Sequence, residues 1–150
     1  MVTTRSSRPV VMLVEDNQDD IFLAQAAISE LPFDLELVIA NDAAEALEFL
    51  GIAETPGPHK LRSSPHLILM DLKLPKTNGL EILSTLRQAE STRHIPVVML
   101  TTSNEMKDVI HSYQNGANSY LAKPVDFTEF KSILYKTMEY WLTINIKMGD

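Results

Sequence analysis

The chain has 150 residues, of which 45% are hydrophobic and 22% charged, and it carries a formal net charge of −7 at pH 7. This length predicts one domain that buries its own core, and the lack of cysteine excludes disulfides, thiolate chemistry and zinc–thiolate sites. The negative charge argues against a general affinity for nucleic acid or an anionic membrane.

The N-terminal residues 1–8 are polar, and we interpret them as a short flexible tail. They lack the apolar segment and cleavage pattern of a signal peptide. No apolar run in the sequence approaches the roughly 18 residues that a membrane-spanning helix needs. We therefore expect a cytoplasmic protein whose partners include neither a membrane nor nucleic acid.

Short apolar runs alternate along the chain with segments in which apolar residues recur at helical spacing. The runs predict strands at residues 10–14, 35–40, 67–70, 95–100 and 119–122. Most of these strands are apolar almost throughout, which is typical of strands covered on both faces. Five alternations of strand and helix predict an α/β protein with a parallel sheet and helices on both faces.

The predicted helices follow the strands in turn. Their core positions lie within 21–31, 43–50 and 80–86, at Met106, Val109, Ile110 and Tyr113, and at Phe127, Phe130, Leu134, Met138 and Trp141. Proline or glycine follows the first, second and fourth helices, as expected where a helix stops.

Two segments interrupt this order. Residues 51–65 contain three prolines and two glycines, and we interpret them as a surface loop that is a tolerated insertion. Residues 142–148 alternate apolar and polar side chains, which predicts a short edge strand or an extended tail that needs a partner surface. The predicted domain is therefore 9–141, with a C-terminal extension at 142–150.

Polar residues follow four of the predicted strands. Glu15 and Asp16 come after the first strand, Asp71 after the third, Thr101 ends the fourth, and Lys123 follows the last. In an open parallel sheet the carboxyl ends of the strands share one edge, where ligands bind. The sequence therefore predicts one site with three carboxylates, a hydroxyl and an amine.

The carboxylates of this site have two interpretations. Acids near a helix N-terminus can cap it, but Asp19 and Asp20 could do that alone. Two further acids, Glu15 and Asp16, repel each other unless a cation lies between them, and Mg²⁺ prefers such oxygen ligands. Asp71 is either a turn residue or, beside a metal, a nucleophile toward a phosphoryl group. We favour the metal site.

The hydroxyl and the amine also have structural alternatives. Thr102 begins a capping-box pattern, so it or the following serine is expected to cap the fourth helix and to leave Thr101 for the site. A lone lysine is usually a solvated charge, but Lys123 precedes a proline, in a constrained turn whose peptide bond can be cis. We expect Lys123 to pair with Asp71 at rest and with phosphate after transfer.

Together, Glu15, Asp16, Asp71, Thr101 and Lys123 with its proline resemble the signature of the receiver domain of two-component response regulators. The resemblance extends over roughly residues 9–141. It implies a flavodoxin-like receiver fold with a five-stranded parallel sheet in the order 2-1-3-4-5. It also implies that the protein is not an enzyme but a phosphoacceptor, with only its own Mg²⁺-dependent phosphorylation and dephosphorylation chemistry.

The resemblance assigns the metal ligands and the acceptor. Asp71 is implied to accept a phosphoryl group from a sensor histidine kinase. Asp16 and Asp71 are implied to bind Mg²⁺ directly, together with the backbone carbonyl of Lys73, while Glu15 assists through water. Mn²⁺ or Ca²⁺ is expected to be able to replace Mg²⁺.

The resemblance also assigns the residues that sense the phosphoryl group. Thr101 is implied to reorient and bond the phosphate, and Lys123 to form a salt bridge with it. Tyr120 matches an aromatic switch that rotates inward as Thr101 moves, which would be a shift between two pre-existing states. The alternative is that Tyr120 is simply a half-buried aromatic residue on a strand.

Within this family, the sequence is most similar to the small regulators paired with cyanobacterial phytochromes. The strings VEDNQDD, DLKLPKTNG, IPVVMLTTS and YWLTINIKM carry this second resemblance. It implies a phytochrome-type kinase as the partner.

Other classes of protein fit the residues less well. A flavodoxin-like cofactor binder needs a glycine- and hydroxyl-rich phosphate loop after the first strand, where this chain has acids. An aspartyl-phosphate phosphatase of the haloacid dehalogenase type needs an aspartate where Lys73 stands. A receiver that acts only as a binding module, independently of phosphorylation, would be expected to lack part of the signature.

No output domain is expected beyond the receiver, so the signal should pass through protein contacts, at a surface formed by the fourth helix, the last strand and the last helix. The end of the chain has more apolar groups than one buried face needs, which usually marks an interface. We expect a homodimer that uses Ile133, Tyr140, Trp141, Leu142, Ile144 and Ile146. The alternative is that the tail folds back on its own domain.

Overall fold

The structure is a computed structural model, and it describes residues 8–148. Residues 1–7 of the predicted N-terminal tail and residues 149–150 of the predicted extension lie outside this range. The strands of the main sheet are β1 (Val10–Val14), β2 (Glu36–Ala40), β3 (Leu67–Met70), β4 (Val97–Thr101) and β5 (Ser119–Ala122). The helices are α1 (Gln18–Ser29), α2 (Ala43–Leu50), α3 (Gly79–Gln88), α4 (Met106–Gln114) and α5 (Phe127–Glu139).

All five strands of the main sheet are parallel, in the order β2-β1-β3-β4-β5. This confirms the predicted fold class and strand order. A separate two-stranded antiparallel hairpin, Lys73–Leu74 with Thr77–Asn78, connects β3 to α3. The hairpin matters for function because it begins just after Asp71.

The core has two parts, one on each face of the sheet. Successive side chains of a strand point to opposite faces, so Met12 and Val14 of β1 join the cluster under α2 and α3. Val11 and Leu13 join the cluster under α1 and α5. This alternation fixes the register of β1 against β2 and β3. The register in turn fixes where each strand ends relative to its neighbours.

The prediction that the apolar stripe of α4 faces the core is wrong. Met106 is 67% exposed, Ile110 47% and Tyr113 50%, whereas the fully buried residue of the helix is Ser112. The helix contacts β5. Because β5 is the edge strand of the sheet, no further strand lies beyond it for the helix to cover. The small Ser112 side chain, bonded to the Asp108 carbonyl, faces inward, and the large apolar groups remain outside.

The prediction of an edge strand or extended tail over residues 142–148 is also wrong for residues 142–144. Helix α5 continues directly into a π-helical turn, Tyr140–Ile144, which ends where the Asn145 N–H donates to the Tyr140 carbonyl at 2.7 Å. Residues 145–148 contain no strand. The turn allows both Trp141 and Leu142 to pack against the cluster under α1 and α5, although Leu142 was predicted to lie off the core.

Two local predictions about helix starts need correction. The side chain that caps α1 belongs to Asn17, which accepts from the Asp20 N–H, and not to an acid. Helix α4 starts after Glu105 and has no side-chain cap, so the predicted capping box at Thr102 is not formed. Residues 8–148 contain no cis peptide bond, so the bond between Lys123 and Pro124 is trans.

Candidate functional site

The residues that follow the strands are held in place by the sheet itself. The Glu15 N–H donates to the Ala40 carbonyl of β2 at 3.0 Å, and the Asp71 N–H donates to the Val14 carbonyl of β1 at 3.0 Å. Each bond continues the strand pairing by one residue beyond the end of a strand. The backbone at Glu15 and Asp71 is therefore as fixed as the strands that precede them.

Three carboxylates meet at this edge of the sheet, as predicted. One oxygen from each of Glu15, Asp16 and Asp71 lies within 4.8 Å of the other two. Glu15 is buried, Asp71 is half-buried and Asp16 is exposed. A cluster of hard oxygen donors that is open on one side suits a divalent cation such as Mg²⁺, which binds one or two carboxylates and keeps several waters.

The predicted amine lies among these acids. The Lys123 Nζ is 2.6 Å from Glu15 Oε1, 3.3 Å from Asp20 Oδ2 and 3.6 Å from Asp71 Oδ2. The backbone N–H of Lys123 donates to the Thr101 carbonyl at 2.7 Å, which fixes the Lys123 backbone to the end of β4. The expected pairing with Asp71 is present, but the shortest contact is with Glu15.

Burial and charge shift the protonation of this pair. Burial raises the pKa of Glu15 to about 7, and the hydrogen bond from Lys123 opposes that rise. Burial lowers the pKa of Lys123, but the hydrogen bond to Glu15 and the charges of Asp71, Glu15 and Asp20 outweigh it, so the net pKa is raised. Lys123 therefore stays charged, while Glu15 is able to exchange a proton near neutral pH.

Thr101 lies at the carboxyl end of β4, and only 1% of its surface is exposed. Its hydroxyl accepts a hydrogen bond from the Ser103 N–H at 3.4 Å. The Ser103 hydroxyl in turn donates to Asp108 Oδ2 at 2.5 Å. The loop between β4 and α4 is thus tied both to Thr101 and to the first turn of α4.

Tyr120 connects the edge strand β5 to the same loop. Its hydroxyl donates to the Ser103 carbonyl at 2.8 Å, and its half-buried ring packs against the cluster under α2 and α3. Burial raises the pKa of this phenol, which stays protonated as a donor. Sequence reasoning singled out Thr101 and Tyr120 but not Ser103, because nothing in the sequence indicates the path of the loop.

The hairpin after Asp71 closes the site from another side. Lys73, whose carbonyl is a predicted metal ligand, is the first residue of this hairpin and pairs with Asn78. The backbone of Gly79 approaches so closely that an added Cβ would collide with the Asp71 carbonyl oxygen. Glycine is therefore required at this position by the path of the chain around Asp71.

An apolar hollow of about 230 Å³, which the sequence did not predict, borders the site. Its rim carries Leu23 of α1, which is 42% exposed, and the fully exposed Val125 of the loop before α5, and Glu15 and Lys123 line its polar side. Phe22, next to Leu23, is 69% exposed. Large apolar groups beside a charged cluster are characteristic of a surface that another protein covers.

The predicted dimer residues lie elsewhere, at the end of α5 and in the π-helical turn. Tyr140, Ile144 and Ile146 are 46%, 59% and 94% exposed. Ile133 is half-buried, and Trp141 and Leu142 pack partly against the core of the same chain. No helix among residues 8–148 is long and apolar enough to cross a membrane.

Comparison with known proteins gives a consistent result. Residues 11–135 match the response regulator receiver domain family. The probable methanogenesis regulatory protein FilR2 of Methanothrix harundinacea is 39% identical over 93% of this chain and 88% of its own length. Response regulator Rcp1 of Synechocystis sp. is 37% identical over 89% of this chain and 88% of its own length.

Solved structures of similar proteins share the fold over nearly the whole chain. The phosphorylated cyanobacterial phytochrome response regulator RcpA has a TM-score of 0.86 and 34% identity, and the alignment covers 95% of this chain and 100% of RcpA. The Mn²⁺-bound form of Rcp1 has a TM-score of 0.82 and 35% identity, with 94% and 99% covered.

Proposed function

The chain belongs to the response regulator receiver domain family, and from this membership we propose that it accepts a phosphoryl group on Asp71 from a sensor histidine kinase. The observation that carries the proposal is the Glu15, Asp16 and Asp71 cluster with the Lys123 amine 3.6 Å from Asp71. The protein then signals by changing its contacts with other proteins. Because the phosphoryl group originates from ATP, we propose a cytoplasmic location.

The transfer reaction requires little covalent chemistry from the protein. A carboxylate oxygen of Asp71 attacks the phosphorus of a phosphohistidine, a P–O bond forms, and the P–N bond breaks with its electron pair left on the imidazole. Asp71 becomes a mixed anhydride. Lys123 remains beside it as a positive charge that compensates the phosphoryl oxygens.

Mg²⁺ is the proposed cofactor, with Mn²⁺ or Ca²⁺ able to replace it. Asp16 and Asp71, with the backbone carbonyl of Lys73, would hold the ion directly, and Glu15 through water. The Mn²⁺-bound form of the relative Rcp1 supports a divalent cation in this fold. When bound, the cation would neutralise charge on the phosphoryl oxygens during transfer.

The proposed readout passes from the acceptor to the loop after β4. Thr101 would bond a phosphoryl oxygen, and its hydroxyl, which now accepts a hydrogen bond from the Ser103 N–H, would then turn away from Ser103. Tyr120 is bonded to the carbonyl of the same Ser103. A change at Thr101 would therefore alter the anchoring of Tyr120 and the start of α4, and bias a two-state equilibrium there.

We propose that the kinase binds over the apolar hollow beside the acids. Phe22, Leu23 and Val125 supply the exposed apolar surface for that contact. RcpA is a phytochrome response regulator by description, which favours a phytochrome-type kinase. The exposed groups of the C-terminal turn, on a different surface, would form the homodimer contact.

Incubation with [³²P]acetyl phosphate and Mg²⁺ tests the acceptor. We expect acid-labile label in the wild-type chain, loss of label in Asp71→Asn, and retention in the matched control Asp34→Asn, an exposed acid near the opposite edge of the sheet. Equal labelling of Asp71→Asn would contradict the proposal. A wild-type chain that takes up no label from either acetyl phosphate or kinases would instead favour a binding module that acts independently of phosphorylation.

A further inference from the structure

A second concave region, which we call the basal cleft, lies at the amino ends of the strands, away from the acid cluster. It has a volume of about 710 Å³. Its walls are residues 63–66 at the end of the long loop, residues 94–96 before β4, Asn118 before β5, and Trp141 with residues 145–148. The long loop and the C-terminal segment, neither of which the receiver chemistry uses, therefore meet at one place.

The polar side chains of the basal cleft are donors or bases. His66, His94 and Lys147 line it, together with the hydroxyls of Ser63 and Ser64. None of its described lining residues is acidic, although the whole chain carries a net charge of −7. The positive charge of Lys147, the hydrogen-bonding groups around it and the lack of a described acidic lining residue favour an anion at that position.

The remaining walls are apolar. Ile95 and Pro65 are buried at the floor, Trp141 forms a flat half-buried side, and Ile146 and Met148 are mostly exposed above it. Pockets for small ligands are typically about 300–1,000 Å³, mostly apolar, with a few placed polar groups. The volume of the basal cleft lies within that range, although its lining is about half polar.

The polar part of the cleft is held by a rigid network. The Asn118 side-chain oxygen accepts hydrogen bonds from the Val97 N–H and from Arg87 Nη2, both at 2.9 Å. His66 Nδ1 accepts from the Val10 N–H at 3.1 Å. These bonds orient Asn118 and the His66 ring without a ligand, so part of the site is preorganised.

We propose that the basal cleft binds a small organic anion with a flat apolar body, with the anionic group near His94 and Lys147 and the flat group against Trp141. The proposal is independent of the phosphoryl chemistry at the opposite edge of the sheet, but its ligand would share Trp141 and Ile146 with the proposed homodimer contact. The proposal requires both features of the ligand, because the basic side chains of His94 and Lys147 recognise the charge and the apolar walls recognise the ring.

Trp141 is the only tryptophan of the chain, so its indole N–H gives one cross-peak in a ¹H–¹⁵N NMR spectrum and reports directly on the cleft. We would titrate the ¹⁵N-labelled full chain with p-toluenesulfonate as the probe. The neutral p-toluenesulfonamide and inorganic phosphate serve as probes that lack the charge or the ring. We expect a saturable shift with p-toluenesulfonate and at least about tenfold weaker binding of the other two.

Variants test whether His94 and Lys147 recognise the probe. The double variant His94→Gln/Lys147→Gln removes two exposed side chains and should weaken p-toluenesulfonate binding about tenfold or more. The matched control Lys107→Gln/His111→Gln removes the same residue types from α4 and should bind like wild type. Asp71→Asn should also bind like wild type, which separates this proposal from the phosphoacceptor proposal.

Three results would overturn the proposal. They are the absence of a saturable Trp141 shift up to about 10 mM probe, equal affinity for the sulfonate and the sulfonamide, and unchanged affinity in the His94→Gln/Lys147→Gln variant. Saturable binding of inorganic phosphate as tight as that of p-toluenesulfonate would likewise show that the apolar walls play no part.

Discussion

The Lys123 ammonium lies within 3.6 Å of carboxylate oxygens from Glu15, Asp20 and Asp71, and exposed Asp16 is next to them. One positive charge therefore faces four acids, so these side chains by themselves carry an excess of negative charge. A divalent cation relieves that excess, and so does a proton on Glu15. The two should compete.

The raised pKa of Glu15 determines how this competition depends on pH. Below about pH 7 the folded protein holds a proton on Glu15 that the unfolded chain, with a pKa of 4.5, would have released. That proton stabilises the metal-free fold at low pH, and the stabilisation is lost as the pH rises from 4.5 through 7. A bound cation favours the opposite, ionised form.

We therefore predict that Mg²⁺ affinity falls as the pH is lowered below 7. Isothermal titration calorimetry should show a decrease approaching tenfold per pH unit between about pH 7 and pH 5.5, because each bound ion must displace one proton. Glu15→Gln should bind Mg²⁺ with little pH dependence over this interval. A wild-type affinity that is constant from pH 8 to pH 5.5 would contradict the prediction.

At this scale, the identities of the site residues were predictable because each of them follows a strand that the apolar pattern defines. The contacts among them were not. Asp20 was interpreted as a helix cap, and Ser103 as a possible one, yet Asp20 approaches Lys123 and Ser103 connects Thr101 to Tyr120. Such contacts depend on the exact course of loops, which residue types alone do not specify.

At the scale of secondary-structure elements, Arg87 of α3 holds together three segments. Its guanidinium donates to the Gly116 carbonyl after α4, to the Arg93 and Ile95 carbonyls before β4, and to the Asn118 side chain. Burial lowers the pKa of this guanidinium. A charged group that is bound only by neutral oxygens acts as a structural clamp and not as an ion pair.

Replacing Arg87 by methionine should lower the free energy of unfolding by about 2–3 kcal/mol, because several half-buried carbonyls lose their donor. Urea denaturation followed by circular dichroism measures this. Arg93→Met removes a neighbouring exposed arginine and should change the stability by less than about 0.5 kcal/mol. Equal effects of the two substitutions would show that the clamp contributes little.

Helix α1 and the loop before α5 form the proposed kinase surface, so a charge there should affect only the protein phosphodonor. Phe22→Asp should slow phosphotransfer from a phytochrome-type kinase of the same organism about tenfold or more, and leave labelling by acetyl phosphate unchanged. Ile110→Asp, at an exposed apolar position on α4, is the matched control. A parallel loss with both donors would point to a damaged site instead.

Most elements were predictable from apolar periodicity, and the failures have a common physical origin. Periodicity shows that α4 has an apolar stripe but not which way the stripe faces, and beside the edge strand β5 the stripe faces outward. The first three residues of the alternating segment 142–148 instead belong to a π-helical turn, whose geometry a strand pattern does not anticipate. In both cases the tertiary position of the segment decided the outcome.

At the scale of the whole molecule, the apolar surface is distributed unevenly. One exposed region lies beside the acids on α1, and a second set of exposed apolar groups lies on α4 at Met106 and Ile110 and near the C-terminus at Ile144 and Ile146. The first fits the proposed phosphodonor. The second would contact the other copy of the chain in the proposed homodimer.

We predict a homodimer that depends on the C-terminal turn. Ile144→Asp/Ile146→Asp should shift the chain from dimer to monomer in sedimentation velocity at micromolar concentration, because it places charges on exposed apolar positions. Phe22→Asp should remain dimeric. These variants are preferable to deletion of residues 142–150, which would also remove Leu142 from the core. A wild-type chain that sediments as a monomer would contradict the prediction.

The hydrogen bonds that continue the sheet into the site have a consequence for how the site is assembled. Because the amides of Glu15, Asp71 and Lys123 are bonded to Ala40, Val14 and Thr101, the acids and the amine converge only when all five strands have paired. Assembly of the site and completion of the sheet are therefore one cooperative event. A partly folded chain would lack the assembled acid cluster, and we therefore expect the proposed kinase to phosphorylate only the folded protein.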